Sequence, residues 1–352
     1  MNRQSILARP MNRRAFAVAA STVSLAALTP RTFAQGTPEA SPAASPIAAG
    51  VQPDGTWSFP DGHGSTVTLP EMPKRIVAYS NAAAALFDYG IECVGIWGPQ
   101  KRADGTPDPQ TGDLDLSKLE SLGQEYQEFD IEKLVGLNPD LLVGVTYDPS
   151  NPDDVWYLAP DSMDKIRSIA PVVTASVVRQ SVTETIGTFE TLAAALGAAM
   201  SADTVTAAKA DFMAASDEVK AAAAAKPGLS VLVVSGGPDN IYIAAPAVAP
   251  DLTYFRELGV DVIEPKDQAN YWETLSWEQA NLYPADMILN DVRSTWFTIE
   301  QMYEQPSFAN LPAAKAKQVY NWYTEYVFSH KGFTPVLQEL AKDINESNAD
   351  LV

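Results

Sequence analysis

The chain builds one short unit twice. In FDIEKLVGLNPDLLVG (129–144) and in LSWEQANLYPADMILND (275–291), a capping residue, Asp130 or Ser276, stands two positions before a glutamate, Glu132 or Glu278. An aspartate, Asp140 or Asp286, follows that glutamate by eight positions, shortly after a proline, and opens an apolar run, LLV or MIL. The two glutamates are 146 residues apart. Each copy reads as a capped helix, a turn and a buried strand. A chain that repeats this frame has to house two similar α/β halves.

The surrounding pattern agrees. From Arg75, RIVAY is a strand, NAAAALFDYG a short helix ended by Gly90, and ECVGIWG the next strand. After Gly228, LSVLVVSGG and NIYIAA are strands, APDLTYFRELG is a helix ended by Gly259, and VDVIEP is a strand. Strand, helix and strand in series predict parallel pairing through right-handed crossovers. Between the halves, Val205, Ala208, Phe212, Ala215 and Val219 recur every three or four residues, one apolar stripe of a helix. Ser201 or Asp203 can cap it, and Pro227 and Gly228 end it. About 24 helical residues make a rod of roughly 36 Å. The expected fold is α/β: two Rossmann-like lobes with parallel sheets, 57–200 and 228–352, joined by one long helix, 201–227.

The first residues fall outside this plan. Arg13 and Arg14 precede a mildly apolar, Ala-rich stretch, and TFA ends at Ala34. Residues 1–34 read as an export signal, of twin-arginine or ordinary secretory type. The segment holds five arginines and no acids, so its removal takes the formal charge from −20 to −25. Such a surface disfavours nucleic acid and anionic lipid. Residues 35–56, rich in Pro, Ala and Ser, read as a disordered tether. Cys93 is the only cysteine, so no disulfide forms and no lipid-anchoring cysteine follows the signal.

Enzymatic motifs are missing. There is no G-x-S-x-G elbow, no phosphate loop and no H-E-x-x-H. SGGPD after a strand is a glycine turn that can seat an anion, which is weak support for catalysis. The two histidines, His63 and His330, are far apart in sequence, and Asp153 and Asp154 read as a solvated loop. A bare transition-metal site is not expected, nor a cofactor.

PKRIVAYSNAAAALFDYGIECVGI, the two repeated units, the helix 201–226 and LTYFRELGVDVI together resemble the ABC-transporter substrate-binding proteins of the iron-siderophore, haem and cobalamin type. The resemblance covers about residues 73–344. It implies the class III plan, an extracytoplasmic monomeric receptor, and a cargo held between the lobes. It also implies that Glu132 and Glu278 dock on arginines of a two-fold permease dimer. A first-turn glutamate is independently favoured by the helix dipole. Asp140 and Asp286 read as turn residues opening a strand. Relatives often carry an acid where this chain has Ala84.

Ligands of open α/β lobes gather at the C-terminal ends of parallel strands. Those ends lead to Tyr79 and Asn81, Trp97 and Arg102, and Tyr147 in the first lobe. In the second they lead to Tyr242, Tyr271 and Trp272, and Arg293 and Trp296, with Trp322 and Tyr323 from the tail. The aromatics can offer flat apolar walls, or pack in the core. The guanidiniums of Arg102 and Arg293 match carboxylate or hydroxamate oxygens. The expected cargo is a ferric siderophore, the iron arriving already wrapped in its chelator. Haem or cobalamin is the alternative, with Tyr79, Tyr147 or Tyr271 as axial ligand for haem.

Overall fold

A computed structural model describes residues 49–293 and 296–352. Residues 1–48, where an export signal and most of a tether are expected, lie outside the described residues.

The first lobe is built on a five-stranded sheet. Its strands are β4 (Ile76–Tyr79), β5 (Gly95–Trp97), β6 (Glu120–Ser121), β7 (Leu141–Thr146) and β8 (Val172–Ser176), in the order β6-β5-β4-β7-β8. Every pairing is parallel. Parallel strands are covered on both faces and therefore read as unbroken apolar runs. All residues of β4 and β7 are buried. The helices α1 (Ser80–Asp88), α2 (Ile131–Leu137), α3 (Met163–Ile169) and α4 (Val182–Ala195) make the crossovers and the return. The alanines Ala82–Ala85 of α1 are buried, Ala84 among them.

Ahead of this lobe stands a small antiparallel sheet of β1 (Gly50–Val51), β2 (Trp57–Pro60) and β3 (Thr66–Leu69). The reading of 35–56 as tether is therefore too long at its C-terminal end. Composition offered no large side chain there to bury. Gly50 and Val51 are instead held by pairing with Ser58 and Trp57. The Trp57 ring is buried, and its Nε1 donates to the Ala195 carbonyl at 2.8 Å.

The long helix α5 (Asp203–Ala225) has 23 residues. Of the predicted stripe, Val205, Phe212, Ala215 and Val219 are buried and Ala208 is partly so. Ala202 is the N-cap and makes no side-chain bond, while Asp203 sits in the first turn. One side of α5 meets the first lobe, where Lys209 pairs with Glu190 of α4. Another meets the second lobe. There Phe212 stacks on Tyr254 of α6 (Pro250–Glu257), and Ser216 Oγ lies 2.8 Å from the Tyr254 hydroxyl. The C-terminal helix His330–Glu346 packs along α5, and Lys226 Nζ caps its end by donating to the Ser347 carbonyl.

The second lobe departs from the expected parallel sheet. Its strands are β9 (Ser230–Gly236), β10 (Asn240–Ala244), β11 (Asp261–Val262), β12 (Trp272–Ser276), β13 (Met287–Asp291) and β14 (Val319–Trp322). Strands β11 and β13 pair with β9, and β14 with β13, in parallel. Strands β9-β10-β12 are antiparallel. Only three residues, Gly237 to Asp239, link β9 to β10, and so short a connection joins antiparallel neighbours alone. The SGGPD turn is this hairpin. With β10 and β12 set aside, β4-α1-β5 matches β9-α6-β11, and α2-β7 matches the 3-10 turn Trp277–Leu282 followed by β13.

The repeated aspartates do the same work in both lobes. Asp140 Oδ2 accepts from the amides of Lys74 (2.8 Å) and Arg75 (2.9 Å), just ahead of β4. Asp286 Oδ2 accepts from the amide (2.9 Å) and hydroxyl (2.7 Å) of Ser230 at the start of β9. Each carboxylate ties its own strand to the neighbouring one.

Candidate functional site

The lobes face each other across a cleft at the C-terminal ends of β4, β5, β7, β9 and β13. An open cavity of about 280 Å³ lies there. Arg102, Asp104, Asp108 and Gln110 of the first lobe line it, opposite Arg293, Tyr323 and Glu325 of the second. Arg102 bridges the lobes: its Nη2 donates to the Tyr323 hydroxyl at 2.9 Å, with the guanidinium 5.4 Å from the ring centre. Such a cation over an aromatic face is attractive, more so where water is scarce.

Glu325 is the centre of the polar network. Its Oε2 accepts from the Tyr79 hydroxyl (3.0 Å), and its Oε1 accepts from Trp156 Nε1 (3.2 Å) and Arg293 Nη1 (2.7 Å). Tyr79 and Trp156 belong to the first lobe, so one buried carboxylate links both. The Tyr79 hydroxyl also lies 2.8 Å from Gln110 Oε1. Burial and the Glu325 charge push the Tyr79 phenol well above its ordinary range, so it stays a protonated donor. Arg293 is held by a second carboxylate. Its Nε lies 3.0 Å and its Nη2 2.7 Å from Asp291 Oδ2. Burial works against the Arg293 charge, but Asp291 and Glu325 outweigh it and raise its pKa.

An unbroken path of ring contacts crosses the cleft. Trp97 meets Tyr79, Tyr79 meets Tyr157, Tyr157 meets Trp156, and Trp156 meets Tyr147 at 4.6 Å between centres. Tyr147 then reaches Tyr271 of the other lobe at 6.2 Å. Tyr271 continues to Trp272, Trp296 and Tyr242. Beneath Tyr147 and Tyr271, Val178 of the first lobe packs with Ala245 and Val248 of the second.

Of the residues expected at the site, Arg102, Arg293 and Tyr323 line the cavity. Tyr147, Tyr242, Tyr271 and Trp296 are partly exposed along the ring path. Tyr79, Asn81, Trp97 and Trp322 are at most 3% exposed, and Trp272 is 7% exposed. They back the cleft instead of walling it. Trp322 is fixed from behind, with Nε1 donating to Asp251 Oδ2 at 2.6 Å. Among the described residues Asn81 Oδ1 finds no donor. Asp154 is not the solvated charge the sequence suggested. Its Oδ2 accepts from Thr146 Oγ1 and from the amides of Tyr147 and Asp148, and so shapes the loop that carries Trp156 and Tyr157. Sequence reasoning missed Glu325, Asp291, Trp156, Tyr157, Gln110 and Asp251. The one available signal was TEYVF, an acid set among aromatics in the tail.

Glu132 and Glu278 lie elsewhere. Both are exposed, in the first turns of α2 and of the Trp277–Leu282 3-10 turn. Asp130 caps α2 by accepting from the Lys133 amide at 2.9 Å, and Ser276 caps its turn through a box with Gln279. Among the described residues, no helix is long and apolar enough to cross a membrane, and no group of three metal-ligating side chains forms.

No curated sequence matches. Among solved structures, the chain is similar to DesE, a ferric-siderophore receptor protein from Streptomyces coelicolor. Identity is 39% and the TM-score 0.78, over 83% of this chain and 99% of that one. The fold is also that of the petrobactin-binding protein YclQ from Bacillus subtilis, at 18% identity and TM-score 0.62 over 83% and 99% of the two chains. Staphylococcus aureus SirA, solved with staphyloferrin B, shares it at 19% and 0.59 over 82% and 98%. The periplasmic binding protein family matches residues 78–326, and with the relation to DesE along the full length of that chain, this protein belongs to that family.

Proposed function

We propose that this protein is the exported receptor of an ABC importer, which captures a ferric siderophore in the interlobe cleft and hands it to a membrane permease. The observation that carries the reading is the cleft itself, a cavity lined by Arg102, Arg293 and Tyr323 between lobes that a path of ring contacts also joins, in a chain 39% identical to a ferric-siderophore receptor. Aromatic side chains offer a polarisable, apolar surface to the organic shell of a rounded chelate, and the long helix suits small hinge motions over wide closure. The protein acts by binding and release, not catalysis, and works as a monomer outside the cytoplasm after export.

Haem is the weaker cargo. Tyr79, at the end of β4, is fully buried, with its hydroxyl held between Gln110 and Glu325 and so turned away from any haem iron. Docking on the permease runs through Glu132 and Glu278. Support for this comes from their exposure at matching positions of two similar lobes, which suits a two-fold partner.

Native mass spectrometry of the protein purified from its iron-starved producer tests the cargo. An intact ferric chelate at one copy per chain is expected. A haem or cobalamin mass would replace that cargo, and a chemically altered chelate would point to an enzyme.

A further inference from the structure

Arg293 sits where an anion-binding arginine is expected, but each of its three guanidinium nitrogens already donates to a carboxylate. Nε and Nη2 face Asp291 side-on, Nη1 donates to Glu325, and the Arg293 amide also donates to Asp291 Oδ1 at 3.1 Å. Two carboxylates thus neutralise one guanidinium before any ligand arrives. The other cation of the cavity, Arg102, faces Asp104 and Asp108 along the same lining. Around the cavity, two guanidiniums stand against Glu325, Asp104 and Asp108 at its surface and Asp291 behind. The whole chain carries further negative charge.

We propose that Glu325 sets the charge selectivity of the cleft: it keeps Arg293 as an internal ion, so that the site accepts ferric chelates of zero or positive net charge and rejects polyanionic ones. This rests on the reading of the cleft as an iron-chelate site. At a separation of about 8 Å and an effective dielectric of about 20, each unmatched like-charge pair weakens binding about thirtyfold. A trianionic chelate meets that penalty more than once. A cationic chelate gains from the same surplus.

Glu325→Gln isolates the charge. The Gln carbonyl can take the place of Oε1 and still accept from Trp156 and Arg293. Its amide then takes the place of Oε2 and donates to the Tyr79 hydroxyl, which turns its own proton to Gln110 Oε1. Every contact of the network survives with one negative charge fewer.

The test is tryptophan-fluorescence titration of the parent and Glu325→Gln with three probes: ferrioxamine B (cationic), ferrichrome (uncharged) and ferric enterobactin (trianionic). The parent should bind one or both of the first two, and ferric enterobactin at least about a hundredfold more weakly. Glu325→Gln should shift the preference toward ferric enterobactin by about tenfold or more. If Glu325→Gln does not fold, Asp108→Asn should produce the same direction of shift, since its Oδ1 can still accept from the Gln110 amide. Equal affinity for all three probes, or an unchanged preference in a folded variant, would overturn the inference while leaving the cleft an iron-chelate site. Binding of none of the three would overturn that underlying reading and this inference with it.

Discussion

The two lobes are variations on one plan, and the variation falls at the cleft. The first lobe keeps a purely parallel sheet and adds to Tyr147, just after β7, two aromatics from a loop, Trp156 and Tyr157, braced by Asp154. The second lobe inserts the antiparallel strands β10 and β12 and takes Tyr242 and Trp272 from them, with Tyr271 just ahead of β12. The repeated units, at the opposite side of each sheet, stay alike. A duplicated frame therefore holds where strands begin, and diverges where they end and the ligand lies.

The likeness between the repeated aspartates can be broken most sharply at Asp286. It is 1% exposed and accepts a further amide from Leu351 at 2.7 Å, whereas Asp140 is only half-buried. Removing a buried acceptor strands its donors. Asp286→Ala should cost about 3 kcal/mol or more of stability and Asp140→Ala about 1–2 kcal/mol, read by denaturant unfolding. Equal losses would mean that the two copies are equivalent after all.

The contrast between loop-borne and strand-borne aromatics predicts unequal binding losses. Trp156 touches Tyr147, Tyr157 and Tyr126 and donates to Glu325, while Trp296 contacts only Tyr242 and Trp272 among the ring contacts of the described residues. Trp156→Ala should weaken ferric-chelate binding about a hundredfold, and Trp296→Ala only about three- to tenfold, by calorimetric titration.

A smaller effect is read through pH, since burial raises carboxyls in both lobes, most at Asp251 and Asp343 of the second. In the second lobe, burial raises the Asp251 carboxyl from 3.8 to about 7, against the hydrogen bonds of Trp322, Leu252 and Tyr326. Burial likewise raises Asp343 to about 7, with Glu339 adding to it. The folded state then holds protons that the unfolded chain has released. Their contribution to stability is complete below the unfolded carboxyl range near 4 and is lost as pH rises to about 7. Asp251→Asn keeps an acceptor for Trp322 and should flatten part of this decline in a melting-temperature series from pH 4 to 8. An unchanged slope would remove Asp251 as its source.

The least change in the isolated protein should come from the glutamates that the lobes share. Glu132→Ala and Glu278→Ala should leave ligand affinity and unfolding unaltered, and lower uptake of labelled ferric chelate in cells carrying the cognate permease. The double variant should be worse than either. Normal uptake in the double variant would leave only the helix-dipole explanation of these residues.

Much of this plan was legible in the sequence. Buried parallel strands read as apolar runs, and the α5 stripe gave its helix to within two residues at each end. The direction of β10 was not read, because NIYIAA has the same pattern in either orientation and the hairpin turn was weighed as an anion seat. The network was hidden for a different reason. Glu325 meets Arg293 across 32 residues, Trp156 across 169 and Tyr79 across 246. No local pattern marks a carboxylate whose partners come together only when two lobes close on it. Strand ends did point to Arg102, Arg293 and Tyr147, since in this architecture position alone aims them at the cleft.

Iron, wrapped in its chelator, is expected between the lobes. Anomalous scattering at the iron edge from crystals grown with a ferric siderophore measures this directly. One iron peak per chain is expected inside the cleft, flanked by Arg102 and Tyr323 on one side and Tyr147 and Tyr271 on the other. A peak on the outer surface, or none at saturating chelate, would contradict it.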